Sequence, residues 1–383
     1  MGGYCRTIYQ DGFVWDYAGH FFHFANDNVK SFFKKRINES EFVSRIKSTK
    51  IFYKGNFIDF PFQTNIHQLD KDEFIDCLYD LYFRDEKVKY DSFLDMLYGN
   101  FGKSITNKFL KPYNEKLYAC DLTKLDKDAM GRFFPYADMD KIVKGFKCNY
   151  TDSYNARFLY PKNGAKVFVD ALASGVSKDK VILENELLEI YVKEKVAITK
   201  GIKIKYKHLI NTTTLPIFLS MIKDIKYSNF INSLSWNKVL VFNIGFDLPA
   251  INNDIHWMYF PEEKYNFYRV GFYSNILSED RLSIYVEVGF GSSHNINIDV
   301  EFDKVILGLK IAGIIDDHKV ISYSSIIMDP AYVHIDDSII NTKKNVFSEL
   351  LSYGVYNIGR YGDWKYCSIE DSMLDAISLA RKI

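Results

Sequence analysis

Residues 355–381 read VYNIGRYGDWKYCSIEDSMLDAISLAR: a short apolar strand, a turn with glycines at 359 and 362, and a helix from about Ile369. Two glycines let a backbone lie close to a ligand, and the amides that open a helix attract anions. Arg360 adds a planar, permanently charged fork suited to phosphate. The same residues also suit an ordinary strand-to-helix turn with solvated charges, and at this point both readings stand.

The opposite end of the chain carries a second glycine-rich stretch. Gly2-Gly3-Tyr4-Cys5-Arg6-Thr7 leads into a hairpin around Asp11-Gly12, flanked by Thr7-Ile8-Tyr9 and Phe13-Val14-Trp15, and then into Tyr17-Ala18-Gly19-His20-Phe21-Phe22-His23. The spacing predicts a helix from Asn26 to about Ile46, and residues 51–62 read as a second hairpin around Gly55-Asn56. Residues 65–145 are mostly helical, with Asp70–Phe83 and Tyr90–Tyr98 carrying apolar residues at steps of three and four. After Pro161 the pattern predicts a helix over 164–172, a strand at Val181–Leu183, an alternating run over 187–198 and strands near 202–206 and 209–212. Residues 237–290 are sheet-rich. Sheet, helices, sheet and a closing glycine–helix unit predict domains built from non-contiguous pieces.

Composition narrows the function. The 383 residues balance 49 Lys+Arg against 49 Asp+Glu, 47% are hydrophobic and 26% charged, so the chain is globular and has no net basic charge to draw nucleic acid. Cys5, Cys77, Cys120, Cys148 and Cys367 are scattered without a CxxC pair, which fits a reducing cytoplasm better than a disulfide framework or structural zinc. No signal-peptide pattern opens the chain and no apolar run is long enough for a transmembrane helix, so a soluble cytoplasmic protein is expected. His20 and His23 lack a carboxylate or cysteine at metal-ligand spacing, so no metal is expected. There is no GxSxG, P-loop or HExxH, and no GxGxxG dinucleotide turn.

Taken in order, GGYCRT (2–7), DGFVWDYAGHFFHF (11–24), FPFQ (60–63), FGKSITNKFLKPYNEKLYA (101–119), LYPKNGAKVFVDAL (159–172), INTTTLP (210–216), FYRVGFYSN (267–275) and GRYGDWKYCSIEDSM (359–373) run nearly end to end. This order resembles FAD-dependent oxidoreductases of the amine oxidase/protoporphyrinogen oxidase-like superfamily, which includes UDP-galactopyranose mutase. The resemblance implies an α/β fold with α+β insertions: a two-dinucleotide-binding-type FAD domain interrupted by a helical and antiparallel-sheet substrate domain. The expected FAD domain comprises residues 1–50, 160–220 and 335–383, and the substrate domain 51–159 and 221–334.

The resemblance also implies a cofactor set. Gly2, Gly3, Arg6 and Thr7 fall on the GGxxxT segment that lies along the FAD, and Gly19 and His20 on the turn that meets the flavin. Leu187 falls where the family holds the adenine end, Gly359 and Arg360 on the C-terminal flavin and phosphate contacts, and Ile369 and Glu370 on the helix start that points at the flavin. In that superfamily a strand, a GxGxxG turn, a helix and an acidic ribose-binding residue precede the Gly2–Gly3 segment by about thirty residues. They have no counterpart here, which is expected to weaken FAD binding. An upstream start, a trimmed chain and a decayed copy each account for it.

YAGHFFHFAND (17–27) and YKGNFIDFPFQTN (53–65) resemble the histidine loop and following hairpin of the mutase branch. There Arg269 aligns with an arginine that contacts the sugar-nucleotide diphosphate, and Tyr332 and Tyr366 fall near tyrosines serving it. Residues 267–273 lack the charged residues the mutase carries after its arginine, and residues 101–119 lack its tryptophan; that helix is closer to an oxidoreductase branch found among envelope-polysaccharide genes. The leading expectation is an FAD-dependent oxidoreductase acting on a small molecule, with Trp257, Arg269, Tyr332 and Tyr366 as substrate-binding residues and no general base identifiable. The plainer reading makes Trp257 and Tyr332 core aromatics and Arg269 a strand ion pair. The alternatives are a flavin-dependent UDP-sugar isomerase and a degenerate copy without cofactor.

Overall fold

The computed structural model describes residues 2–22, 24–147 and 157–383, so His23 of the His20/His23 pair and Cys148 lie outside the described residues. The chain divides into two compact units, each assembled from separate stretches. Unit 1 is Met1–His23, Phe33–Asp170 and Asn237–Ala331; unit 2 is Phe24–Phe32, Ala171–Trp236 and Tyr332–Ile383.

Unit 1 is organised by a sheet with the strand order Val320–Met328, Ser235–Phe246, Ser283–Gly291, Arg269–Phe272, Trp257–Tyr259, Thr49–Tyr53 and Asn56–Asp59. Strand Trp257–Tyr259 runs parallel to Thr49–Tyr53; the other neighbours are antiparallel. The run VLVF at 239–242 is fully buried because both sheet faces are covered, which is why it reads as continuous rather than alternating apolar sequence. On one face Leu240, Phe242 and Ile244 pack with Val305 and Leu309 of helix Ile298–Ile311. Each such burial is worth about 2 kcal/mol.

The opposite face receives the hairpin Thr7–Gln10/Phe13–Asp16. Phe13 lies over Gly245, where a Cβ would collide with its ring, and stacks on Trp15 at 5.3 Å. The Trp15 indole N–H donates to Ser283 Oγ at 2.9 Å, and Asn243 Nδ2 donates to the Asp16 carbonyl at 2.9 Å. Helices Lys71–Tyr82, Phe93–Ile105 and Lys111–Tyr118 make up the helical segment expected over 65–145.

Two local expectations are corrected. The first helix ends at Lys34, and Phe42–Ile46 is a strand paired antiparallel with Arg157–Pro161. The Asn38 side chain accepts from the Ser40 N–H and starts a separate turn, and the β-branched Val43 and Ile46 then favour the extended chain. Val181–Leu183 forms no strand: Ile182 and Leu183 are largely exposed.

Unit 2 holds the antiparallel strands Leu187–Tyr191, Val196–Thr199 and Lys203–Lys205 and a separate parallel pair, Leu209–Asn211 with Val355–Asn357. Its core gathers Leu215, Phe218, Leu219, Leu350 and the fully buried Trp364. The Gly359–Gly362 stretch is one short helical turn, after which Ile369–Ala380 runs as a helix with Ser368 and Asp371 forming a capping box.

Candidate functional site

The glycine turns at the two ends of the sequence are built differently. In unit 1, Gly3 has φ +55° and open space where a Cβ would project, so its backbone can be approached closely. A Cβ on Gly19 would instead strike the Tyr285 hydroxyl and the Phe21 ring, so Gly19 is fixed by protein packing. Thr7 is likewise spent internally: its hydroxyl donates to Asp16 Oδ1 at 2.7 Å and accepts from the Lys166 N–H at 3.0 Å. Arg6 is exposed and His20 is half-buried.

Asp16, two residues past Val14 in the same hairpin, is the hub of this region. Its carboxylate is wholly buried and accepts from Thr7, from the Ala165 N–H at 2.9 Å and from the Tyr160 hydroxyl at 2.8 Å. Burial pushes its carboxyl up to about 6, with the three hydrogen bonds opposing the rise.

Farther along unit 1 lie the expected substrate residues Arg269 and Trp257. The Arg269 guanidinium grips Glu287 through Nε at 3.0 Å and Nη2 at 2.7 Å, and the Tyr268 hydroxyl donates to the same carboxylate at 2.6 Å. Trp257 is buried and its indole N–H donates to the Tyr285 hydroxyl at 2.6 Å. Arg269 therefore makes a strand ion pair, with its side chain 22% exposed, and Trp257 is a hydrogen-bonded core aromatic. Glu287 and Tyr285 carried no sequence signal, because their partners are set by strand register.

In unit 2 the Arg360 guanidinium lies 4.8 Å from the Tyr366 ring and 5.1 Å from the Tyr332 ring, and donates to the Cys367 carbonyl at 3.1 Å. Tyr332 and Tyr366 stack with centroids 5.8 Å apart. Three residues singled out from sequence are thus brought together, as a cation held against two phenols. Gly359 takes φ +75°, and a Cβ placed on it would meet nothing closer than 3.9 Å, so its conformation and not crowding requires glycine. Its N–H donates to Asp375 Oδ2 at 3.2 Å, and Lys365 bridges Asp375 and Asp363 at 2.8 and 2.9 Å.

Glu370 is buried and accepts from the Ala25 N–H at 3.1 Å and the Asn26 N–H at 2.9 Å, which anchors the chain entering helix Asp27–Lys34. Leu187 opens a strand at the start of the antiparallel sheet, and Ile369 opens the capped helix. Among the described residues no group of three or more His, Cys, Asp or Glu could hold a metal, and no helix is long and apolar enough to cross a membrane.

Of the residues the resemblance names for a flavin, some have room beside the backbone and others are taken up by the protein itself. In unit 1 Gly3 leaves space beside its backbone, whereas Gly19 and Thr7 hold the protein itself. In unit 2 Gly359 leaves space and Arg360 offers a cation for an anionic end, whereas Glu370 is spent on backbone amides.

A parallel strand pair feeding a glycine turn and a capped helix, in a chain that also carries a large, mostly antiparallel sheet, gives a mixed α/β fold. Residues 1–280 match the family of flavin containing amine oxidoreductases, and the chain belongs to that family. Its fold is similar to that of a reduced UDP-galactopyranose mutase, with TM-score 0.87 and 21% identity over 95% of this chain and 81% of the other. It is also similar to a protein from Exiguobacterium sp. 255-15 assigned as a protoporphyrinogen oxidase (TM-score 0.74, 16% identity, 100% and 90% covered) and to an engineered putrescine oxidase (TM-score 0.64, 10% identity, 99% and 90% covered). The chain is a flavin-dependent enzyme of oxidoreductase type, acting on a small molecule.

Proposed function

We propose that the flavin is FAD and that the enzyme oxidises a small organic substrate in the cytoplasm, in a pathway building envelope polysaccharide. The observation that carries the choice of a dinucleotide is the parallel pair Leu209–Asn211/Val355–Asn357 running straight into the Gly359 turn and Arg360. A strand, a glycine turn and a helix in that order suit a dinucleotide phosphate, and Arg360 adds a cation beside the turn. When bound, the flavin supplies the redox chemistry. In unit 2 the chain supplies position for it, Gly359 by close backbone approach and Arg360 by charge, and in unit 1 the Arg269–Glu287 pair is the polar anchor proposed for the substrate. Acid release of the chromophore followed by chromatography tests this. FAD is the expected product; FMN or no flavin contradicts it.

A second reading, isomerisation of a UDP-sugar ring with no net redox change, draws support from the high fold similarity to the mutase. Under it Tyr332 and Tyr366 are the candidates for the diphosphate in unit 2, where phenol hydroxyls suit the charge, and Arg269 stands as a separate candidate in unit 1. Turnover would then need a reductant only to prime the flavin, and calorimetry would detect UDP binding. Stoichiometric flavin reduction by substrate or by NAD(P)H, without UDP binding, favours the oxidoreductase.

A further inference from the structure

Lys47 lies in the two-residue link between strands Phe42–Ile46 and Thr49–Tyr53 of unit 1, and the pairing of Thr49 with Trp257 and of Tyr259 with Arg269 brings it to the neighbourhood of the Arg269–Glu287 pair. Its ammonium sits 5.2 Å from the Phe60 ring centroid and 5.8 Å from that of Trp257. Among the described residues it has no hydrogen-bond acceptor and no carboxylate partner, in contrast to Lys50, Lys54 and Lys108 of the same unit, each of which meets an acid. Burial first, and then the like charge of Arg269, push Lys47 down to about 8. Arg269 is already matched by Glu287, whose side chain is 1% exposed. The group of three therefore carries one net positive charge, and Lys47 meets no carboxylate among the described residues.

A half-buried ammonium walled by aromatic rings and set beside another cation is unfavourable unless something answers its charge. Three rotatable donors on a point charge suit an oxygen anion, and two ring faces suit the flat or apolar body that carries it. We propose that Lys47 is the acid-recognition point of the substrate site in unit 1, taking one oxyanion of the small-molecule substrate, a carboxylate or a phosphate ester, against Phe60 and Trp257. This rests on reading the surroundings of Arg269 as the substrate side.

The test is calorimetric titration of the flavin-loaded protein with benzoate, phenyl phosphate and the neutral benzamide at fixed ionic strength. At least one of the two anions is expected to bind ten times more tightly than benzamide, and which one does so identifies the acid. Lys47→Gln should weaken that anion at least tenfold, and Lys47→Arg should keep it within about threefold, as charge-assisted hydrogen bonds predict. Equal binding of benzamide and both anions to the unaltered protein, or an unchanged affinity in a folded Lys47→Gln protein, overturns the proposal. The comparison of anions with benzamide on the unaltered protein decides the matter even if Lys47→Gln does not fold. Flavin content measured on the same samples separates the two readings: bound flavin without anion preference overturns the role of Lys47 alone, whereas absence of flavin overturns the reading beneath it.

Discussion

Arg269 and Glu287 are direct partners across neighbouring antiparallel strands, and their side chains meet in a two-pronged ion pair whose acid is 1% exposed and whose base is 22% exposed. The carboxylate is also held by the Tyr268 hydroxyl. Removing only the acid's charge strands the guanidinium, so Glu287→Gln should cost about 3 kcal/mol of unfolding free energy. Replacing both partners with Met should cost much less, since two desolvated charges disappear together. Denaturant melts of the single and double variants check this; a Gln variant within about 0.5 kcal/mol of the unaltered protein would show that the pair is not holding the sheet.

Asp16 gives a prediction in pH. Its carboxyl is raised to about 6 from an ordinary value of 3.8, so the folded state binds more protons than the unfolded chain between those values. Stability should therefore fall as pH rises from about 4 to about 6, by about 3 kcal/mol in all, and then level off. Asp16→Asn keeps an acceptor for the Thr7 hydroxyl and the Ala165 N–H and turns its amide towards the Tyr160 hydroxyl. Its unfolding free energy should lack that descending limb. Parallel pH profiles for the two proteins would rule out Asp16 as the source.

Lys116, within the FGKSITNKFLKPYNEKLYA stretch, donates to the carbonyls of Phe260, Glu262 and Tyr265 at 3.0, 2.6 and 2.8 Å. One ammonium thus closes the loop between strands Trp257–Tyr259 and Arg269–Phe272. Lys116→Met leaves those carbonyls without their donor and should cost about 3 kcal/mol. Hydrogen exchange should show the loss as faster opening of residues 260–267 before any change in the sheet. Uniform loss of protection across unit 1 would contradict a local role.

Much of this was legible in the sequence and some was not, for identifiable reasons. The hairpins at 7–16 and 49–59 announce themselves through Asp11-Gly12 and Gly55, whose backbones take positive φ. The helix at 369–380 is legible from about Ile369, and the structure adds the Ser368–Asp371 capping box that starts it. Strand 42–46 was obscured because Phe42, Val43 and Ile46 continue a helical spacing from Val29, and only pairing with residues 157–161 decides between them. At the candidate site, Arg360 and Tyr366 share one glycine-bearing stretch and could be read together. Glu287 and Tyr285 could not, because their partners Arg269 and Trp257 lie 18 and 28 residues away on other strands, and Asp16 could not because Tyr160 and Ala165 reach it from 144 and 149 residues away, although Thr7 is close in sequence. Lys47 is one lysine among many until the fold sets it against Phe60 and Trp257 with no acceptor among the described residues.

Arg360 should matter for cofactor retention more than for folding. Arg360→Ala is expected to weaken flavin affinity about tenfold or more, the scale of one charge-assisted contact, while the capped helix Ile369–Ala380 remains in place. Arg360→Lys should recover little, because a point charge cannot span the Tyr332 and Tyr366 rings as the planar fork does. Equilibrium dialysis against flavin measures both, with far-ultraviolet circular dichroism as the folding control.

The most direct measurement is a titration of the purified 383-residue chain with FAD, followed by its visible absorbance and by calorimetry, and then anaerobic reduction of the complex. An equimolar complex whose flavin bleaches on adding a reducing substrate or NAD(P)H is the predicted result. A chain that takes up no FAD, or binds it equally after Arg360→Ala, would contradict the placement of the cofactor and the function built on it.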